Sequence, residues 1–161
     1  MEIRKATLAD AATISALNAT VQDLHAIAHP HIFKPASTGA FPPDEVAAIL
    51  AEPDTTVFLA VVDGTAAGYV YVSTVRRPET SWRRALAMCT IHHISVDEAF
   101  QGRGVGRALI KAAKDLAILE GISRVDLDVW AFNEHARRFF ESQGFEVFNT
   151  RMWTEVAGNA D

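Results

Sequence analysis

The sequence predicts an α/β domain, a mixed sheet flanked by helices, and three observations carry that prediction. Strictly alternating stretches such as RVDLDVW, residues 124–130, are interleaved with stretches whose apolar residues recur every three or four positions. The second kind is clearest at Val105, Ala108, Leu109, Ala112, Leu116 and Leu119. Between a β-branched run and that helical stretch stand Gly102, Gly104 and Gly106. No linker, repeat or low-complexity tract divides the 161 residues, so one domain over 1–161 is expected.

Taken in order, EIRKAT suits a short first strand. Thr7 with Asp10 resembles a capping box, in which side-chain oxygens meet the free amides of a helix start. Ile14, Leu17, Val21, Leu24 and Ala28 mark an amphipathic helix to about Ala28. The prolines and glycine of HPHIFKPASTGAFPP make the next stretch a loop, and DEVAAILAE a short helix with Asp44 and Glu45 at its positive end. TTVFLAVVD and AAGYVYVSTVR read as two strands joined by a DGT turn. RPETSWRRAL is a polar connection, and AMCTIHHISV a further strand. The helix from Val105 stops at Gly121, and RVDLDVW follows as a strand with Val125, Leu127 and Val129 on one side. Asn133 caps a last helix through Gln143, closed by Gly144, and FEVFNTRMWTEV supplies one or two final strands.

Composition narrows the function classes. A formal charge of -5 argues against a nucleic-acid surface. The single cysteine, Cys89, excludes an internal disulfide framework and suits a reducing compartment. MEIRKATLAD has no apolar leader, and no run approaches the length of a membrane span. A cytoplasmic protein with no membrane partner is therefore expected.

Glycines between a strand and a helix leave backbone N–H groups free at the positive end of the helix, a place for an anion. Three patterns compete for this cluster. A P-loop needs Gly-Lys-Ser/Thr, whereas Gly106 is followed by Arg107 and Ala108, so that reading fails. A dinucleotide fingerprint needs Gly-x-Gly-x-x-Gly, and the spacing here is one residue short. Asp126 and Asp128 also lie inside a strand rather than at its end. The third pattern, Gln/Arg-x-x-Gly-x-Gly/Ala, fits Gln101-Gly102-Arg103-Gly104-Val105-Gly106.

At these residues the chain resembles the GNAT superfamily of N-acetyltransferases. The strand ending ISV, the helix RALIKAAKDLA, and Asn133, Ala136, Phe139, Gly144 and Phe145 within RVDLDVWAFNEHARRFFESQGF extend the resemblance over roughly Thr90 to Phe148. It implies a mostly antiparallel sheet whose splayed central strands bind acetyl-CoA as cosubstrate. It further implies that backbone N–H groups from Gln101 through Arg107 hold the pyrophosphate, with charge from Arg103 and Arg107. The backbone of Ile94, Ser95 and Val96 would meet the pantetheine arm, and the N–H near Val96 the developing oxyanion. Asn133 has two open roles, a place near that arm and a plain helix cap.

The chemistry implied is acetyl transfer to a primary amine of a small molecule or peptide, by direct attack in a ternary complex. A base is needed for the amine, and His92 is the candidate, read as sharing a face with Thr90, Ile94 and Val96. Its bland alternative is a histidine packed within the sheet, the role expected of His93. The family's usual acid is a tyrosine, and that cofactor-facing position is Phe140, which has no proton to donate. Tyr69 and Tyr71 lie on a neighbouring strand, where either can border the acceptor. Acceptor recognition is expected at His25, His29, Phe33, Tyr71 and Trp130. His25 and His29 have ligand spacing on a helix, but with no definite third ligand no metal is expected. A homodimer is plausible by family habit. The alternative function is a non-catalytic acyl-CoA sensor or scaffold that kept the cradle and lost the chemistry.

Overall fold

The computed structural model describes residues 1–156, and residues 157–161 of the expected domain lie outside them. Strand β1 is Glu2–Lys5, and helix α1, Ala11–Ala28, follows a single 3₁₀ turn. Helix α2 is Pro43–Ala51, strands β2 and β3 are Thr55–Val62 and Thr65–Arg77, and β4 is Leu86–Val96. Helix α3 is Val105–Leu119, β5 is Val125–Leu127 and α4 is Glu134–Ser142. The sheet order is β1-β2-β3-β4-β5, antiparallel except for the parallel β4–β5 pair. The expected mixed, mostly antiparallel sheet is what forms.

Local chemistry explains most boundaries. The Asp10 carboxylate accepts from the Thr7 backbone N–H at 2.8 Å and from both ends of the Arg4 guanidinium, which drives its pKa far below the usual carboxylate range. Asp63 and Gly64 both have positive φ, the two-residue turn whose twist matches a hairpin. Gly121 has φ +67 and lets the Ile122 N–H return to the Ala117 carbonyl, closing α3.

Helix α3 lies over one face of the sheet, burying Val105, Leu109, Ile110 and Ala113 against Val70, Val72, Cys89 and Ile91. Helices α1 and α2 cover the other, where Ile14 and Val46 meet Val57, Leu59 and Tyr69. Along α1 the buried stripe departs from the apolar periodicity. Leu24 is 44% exposed, while Asn18 is 2% exposed because it accepts a hydrogen bond from the Tyr69 hydroxyl.

Three expectations are corrected. β5 is three residues long and does not reach Trp130, because its pairing with β4 ends at Ile91↔Leu127. FEVFNTRMWTEV forms no strand. Helix α4 carries the chain back to the start of β5, and residues 146–156 run on without a backbone–backbone hydrogen bond among the described residues. Strand propensity alone does not make a strand without a ladder partner. The third correction concerns which face His92 occupies. The β3–β4 register slips between Tyr71 and Val72, so Tyr71 faces His93 while Val72 faces Ile91, and His92 is the extra residue of a β-bulge.

Candidate functional site

The glycine loop follows β4 directly. Gly102 and Gly104 have φ of +73 and +83, a backbone that side chains rarely adopt, and the space where their Cβ would stand is empty. Gly106 serves differently: a Cβ there would lie 3.1 Å from Phe139 Cζ, so its bare backbone lets α4 close on α3. Among the described residues, the backbone N–H groups of Gly102, Gly104, Val105, Gly106 and Arg107 donate to no backbone acceptor. They gather at the N-terminal end of α3, the geometry that receives a phosphate. Gln101 folds back, its Nε2 donating to the Val96 carbonyl at 3.3 Å. Arg103 lies 3.6 Å from Asp63 and over the Phe100 ring, and Arg107 is exposed.

Next to this loop β4 loses its neighbour. β5 pairs with it only through Ile91, so the edge of β4 from His92 to Val96 on that side has no strand partner among the described residues. The backbone of Ile94, Ser95 and Val96, expected to meet an extended pantetheine arm, lies on this open edge. The Ser95 side chain is buried and donates to the Leu17 carbonyl at 2.6 Å, tying β4 to α1. Asn133 caps α4 by accepting from the Ala136 N–H at 3.0 Å. Phe140 is 7% exposed and packs among the core residues beside Phe145, so its ring belongs to the interior and offers a cofactor little surface.

The bulge puts His92 with His93 and Ser95 on the α1–α2 face. Ile94 and Val96 pack on the α3 side, so the expected grouping of His92 with those two is wrong. His92 stacks on Tyr71 with ring centroids 4.6 Å apart, and its Nε2 lies 2.7 Å from Ser73 Oγ. Burial lowers its pKa from the ordinary 6.5, and nearby Asp126 and Asp128 oppose the shift. His93 is deeper: burial, then His92 and His25, bring its pKa down to about 4. Its Nδ1 lies 3.4 Å from the Tyr69 hydroxyl. Tyr69 itself is fully buried beside Asn18, so it is Tyr71, not Tyr69, that borders the open face.

The remaining acceptor candidates come together. His25, Phe33 and Trp130 form a triangle, with centroid distances of 5.1 Å for both His25–Phe33 and Phe33–Trp130. His29 lies 5.0 Å from Trp130. His25 donates Nδ1–H to the Val21 carbonyl at 2.6 Å, which fixes the ring against its own helix. No group of three or more metal-ligating side chains is found among the described residues. Sequence reasoning missed Phe132, which faces both His25 and His29, and Ser73, the hydroxyl on His92. The spacing from Trp130 pointed to Phe132. Nothing local pointed to Ser73, which reaches His92 only through the bulge.

A model described as the acetyltransferase (GNAT) family matches residues 21–145. N-alpha-acetyltransferase RimI of Mycobacterium tuberculosis is 34% identical over 120 residues, covering 73% of this chain and 70% of that protein. Mycothiol acetyltransferase of Beutenbergia cavernae is 44% identical over 55 residues, covering 34% of this chain; the match spans only 18% of that relative. The tetramutant of the BH1408 protein from Bacillus halodurans superposes with a TM-score of 0.92 at 25% identity, over 97% of this chain and all of that one. An aminoglycoside N-acetyltransferase in complex with CoA superposes at 0.73 over 98% of this chain and 95% of its own, with 19% identity, a likeness of fold alone.

Proposed function

The chain belongs to the GNAT family of acetyltransferases, and from that premise we propose that it transfers an acetyl group from acetyl-CoA to a primary amine of a small molecule or peptide. The observation that carries the reading is one continuous feature: five N–H groups at the start of α3 that meet no backbone acceptor among the described residues, beside the open edge of β4. That pairing suits a ligand with a pyrophosphate at one end and an amide-bearing arm at the other. The group supplies a thioester. The residues of this chain hold it, admit the amine, and remove the amine's proton.

His92 is the proposed base. It stands on the acceptor face, with its pKa lowered by burial so that the neutral ring prevails at neutral pH. In the tautomer that can act as base, His92 donates Nε2–H to Ser73 Oγ at 2.7 Å, which sets the ring's orientation and leaves Nδ1 as the nitrogen that takes the proton. As the amine nitrogen bonds to the acetyl carbon the carbon–sulfur bond breaks. The amine's proton passes to His92, directly or through one water, and the thiolate takes its proton from solvent because Phe140 has none to give. The cluster of His25, His29, Phe33 and Trp130 is the proposed wall for the body of the acceptor. Proximity of the two reactants supplies much of the rate.

The test is release of free thiol from acetyl-CoA over polyamines, aminoglycosides, amino acids and N-terminal peptides, with calorimetric binding of the coenzyme in parallel. Binding with release for one amine class supports the transferase. Binding without release over the whole panel assigns the sensor role, for which Phe140 at the usual acid position is the favouring observation.

A further inference from the structure

Helices α1 and α2 cover only part of the sheet face that carries His92. The core they form with the sheet takes in Val57, Leu59 and Tyr69, with Tyr71 partly buried at its border. β3 and β4 run on past that row, paired as Ser73↔Thr90, Val75↔Met88 and Arg77↔Leu86. Val72 and Ala87 pack on the α3 side, and Arg76 turns the same way to reach the Glu120 carboxylate at 3.1 Å. Alternation therefore turns all three pairs to the His92 face, as Ser73 Oγ on His92 bears out. Val75, Leu86 and Met88 belong to neither core among the described residues. They are half-buried, so the strip beyond His92 is an open track across the sheet.

Charge is ordered along this track. Asp126 accepts from Thr90 Oγ1 at 2.6 Å, and Asp128 stands one row nearer His92, on which both carboxylates act. Val125 and Leu127 pack on the α3 side, so alternation places Arg124 on the same face as Asp126. The Arg124 carbonyl accepts from the Cys89 N–H at 2.9 Å, which sets it beside Met88. Arg77 lies one row further out, and neither arginine has an ion pair among the described residues. At about 3.3 Å per strand residue, the Met88 row lies about 13 Å from His92 and the Leu86 row about 20 Å.

We infer that the track seats the acceptor as an extended peptide, its N-terminal amine at His92 and acidic side chains against Arg124 and Arg77. The two arginine rows fall about four and six residues along such a chain, an even spacing that turns both acidic side chains to the same face. Asp126 and Asp128 draw in the ammonium and repel a carboxylate at that end, so charge also fixes the direction in which the peptide lies. A polyamine, cationic along its length, meets the wrong charge at Arg124 and Arg77. The inference rests on the transferase reading and names its acceptor.

The experiment follows thiol release from acetyl-CoA by the full chain with octapeptides that carry glutamate, glutamine or lysine at positions 5 and 7, beside spermidine. For the wild type kcat/KM should fall in that order, ~10-fold or more from glutamate to lysine. Arg77→Glu combined with Arg124→Glu should invert the order through KM rather than kcat. Equal rates for the three peptides, spermidine turned over faster than the glutamate peptide, or a folded double variant that keeps the wild-type order would each overturn the track and leave the transferase standing. No thiol release from any acceptor would overturn the transferase reading and the track with it. The wild-type series decides the question even where the double variant does not fold.

Discussion

His92 stacks on Tyr71 although Tyr71 is paired across the sheet with His93. The extra residue in β4 brings two consecutive histidines to one face, where a regular strand would have put them on opposite sides. One stands in the open and the other is enclosed, and their chemistry divides accordingly.

The exposed one is expected to carry the proton. Replacing His92 with Ala should lower kcat by ~10²–10⁴-fold while leaving coenzyme affinity nearly unchanged. The acid limb of kcat/KM in the wild type should lie below 6.5, because burial lowers the His92 pKa. A pH profile of His92→Ala that keeps this limb would assign the proton to another group.

The enclosed one should register in stability. His93 titrates near 6.5 in the unfolded chain and near 4 in the folded one. Between those values the unfolded state binds the extra proton. Stability is therefore intact above pH 6.5 and falls as pH drops toward 4, by about 3 kcal/mol at the limit. Urea midpoints measured across this window should slope upward with pH, and His93→Gln should flatten the slope.

Tyr69 and Asn18 make one of the buried polar contacts between α1 and the sheet. Tyr69→Phe leaves the Asn18 amide oxygen without its donor and should cost about 1–3 kcal/mol in chemical denaturation. A variant as stable as the wild type would mean that water reaches Asn18.

The glycines of the loop should separate by phenotype. Gly104→Ala strains a left-handed residue in open space, costs about 1 kcal/mol, and should weaken coenzyme binding by crowding the N–H cluster. Gly106→Val instead drives a side chain at Phe139 and should destabilise by about 1–3 kcal/mol. Calorimetry with the coenzyme beside a urea melt distinguishes the two.

Much of this arrangement is legible in the chain. Periodicity placed α1 and α3, end signals such as Asp44, Glu45, Asn133 and Gly144 placed α2 and α4, and the Gln101–Gly106 pattern marked the loop whose N–H groups gather at the start of α3. His25, His29, Phe33 and Trp130 are grouped by where the resemblance puts acceptor recognition, and their rings stand together in the fold. What stayed hidden depends on pairing across strands. A bulge is a slip between two strands, and neither AMCTIHHISV nor AAGYVYVSTVR marks it alone. The burial of Phe140 depends on how closely α4 approaches α3 at Gly106, and the idle final segment on where α4 delivers the chain.

The most direct test of the central claim is an amide-resolved NMR titration of the full chain with acetyl-CoA. The account predicts that the largest shifts fall on Gly102, Gly104, Val105, Gly106 and Arg107, with a second set on Ile94, Ser95 and Val96. Saturable binding whose shifts fall elsewhere, or no binding at all, would contradict it.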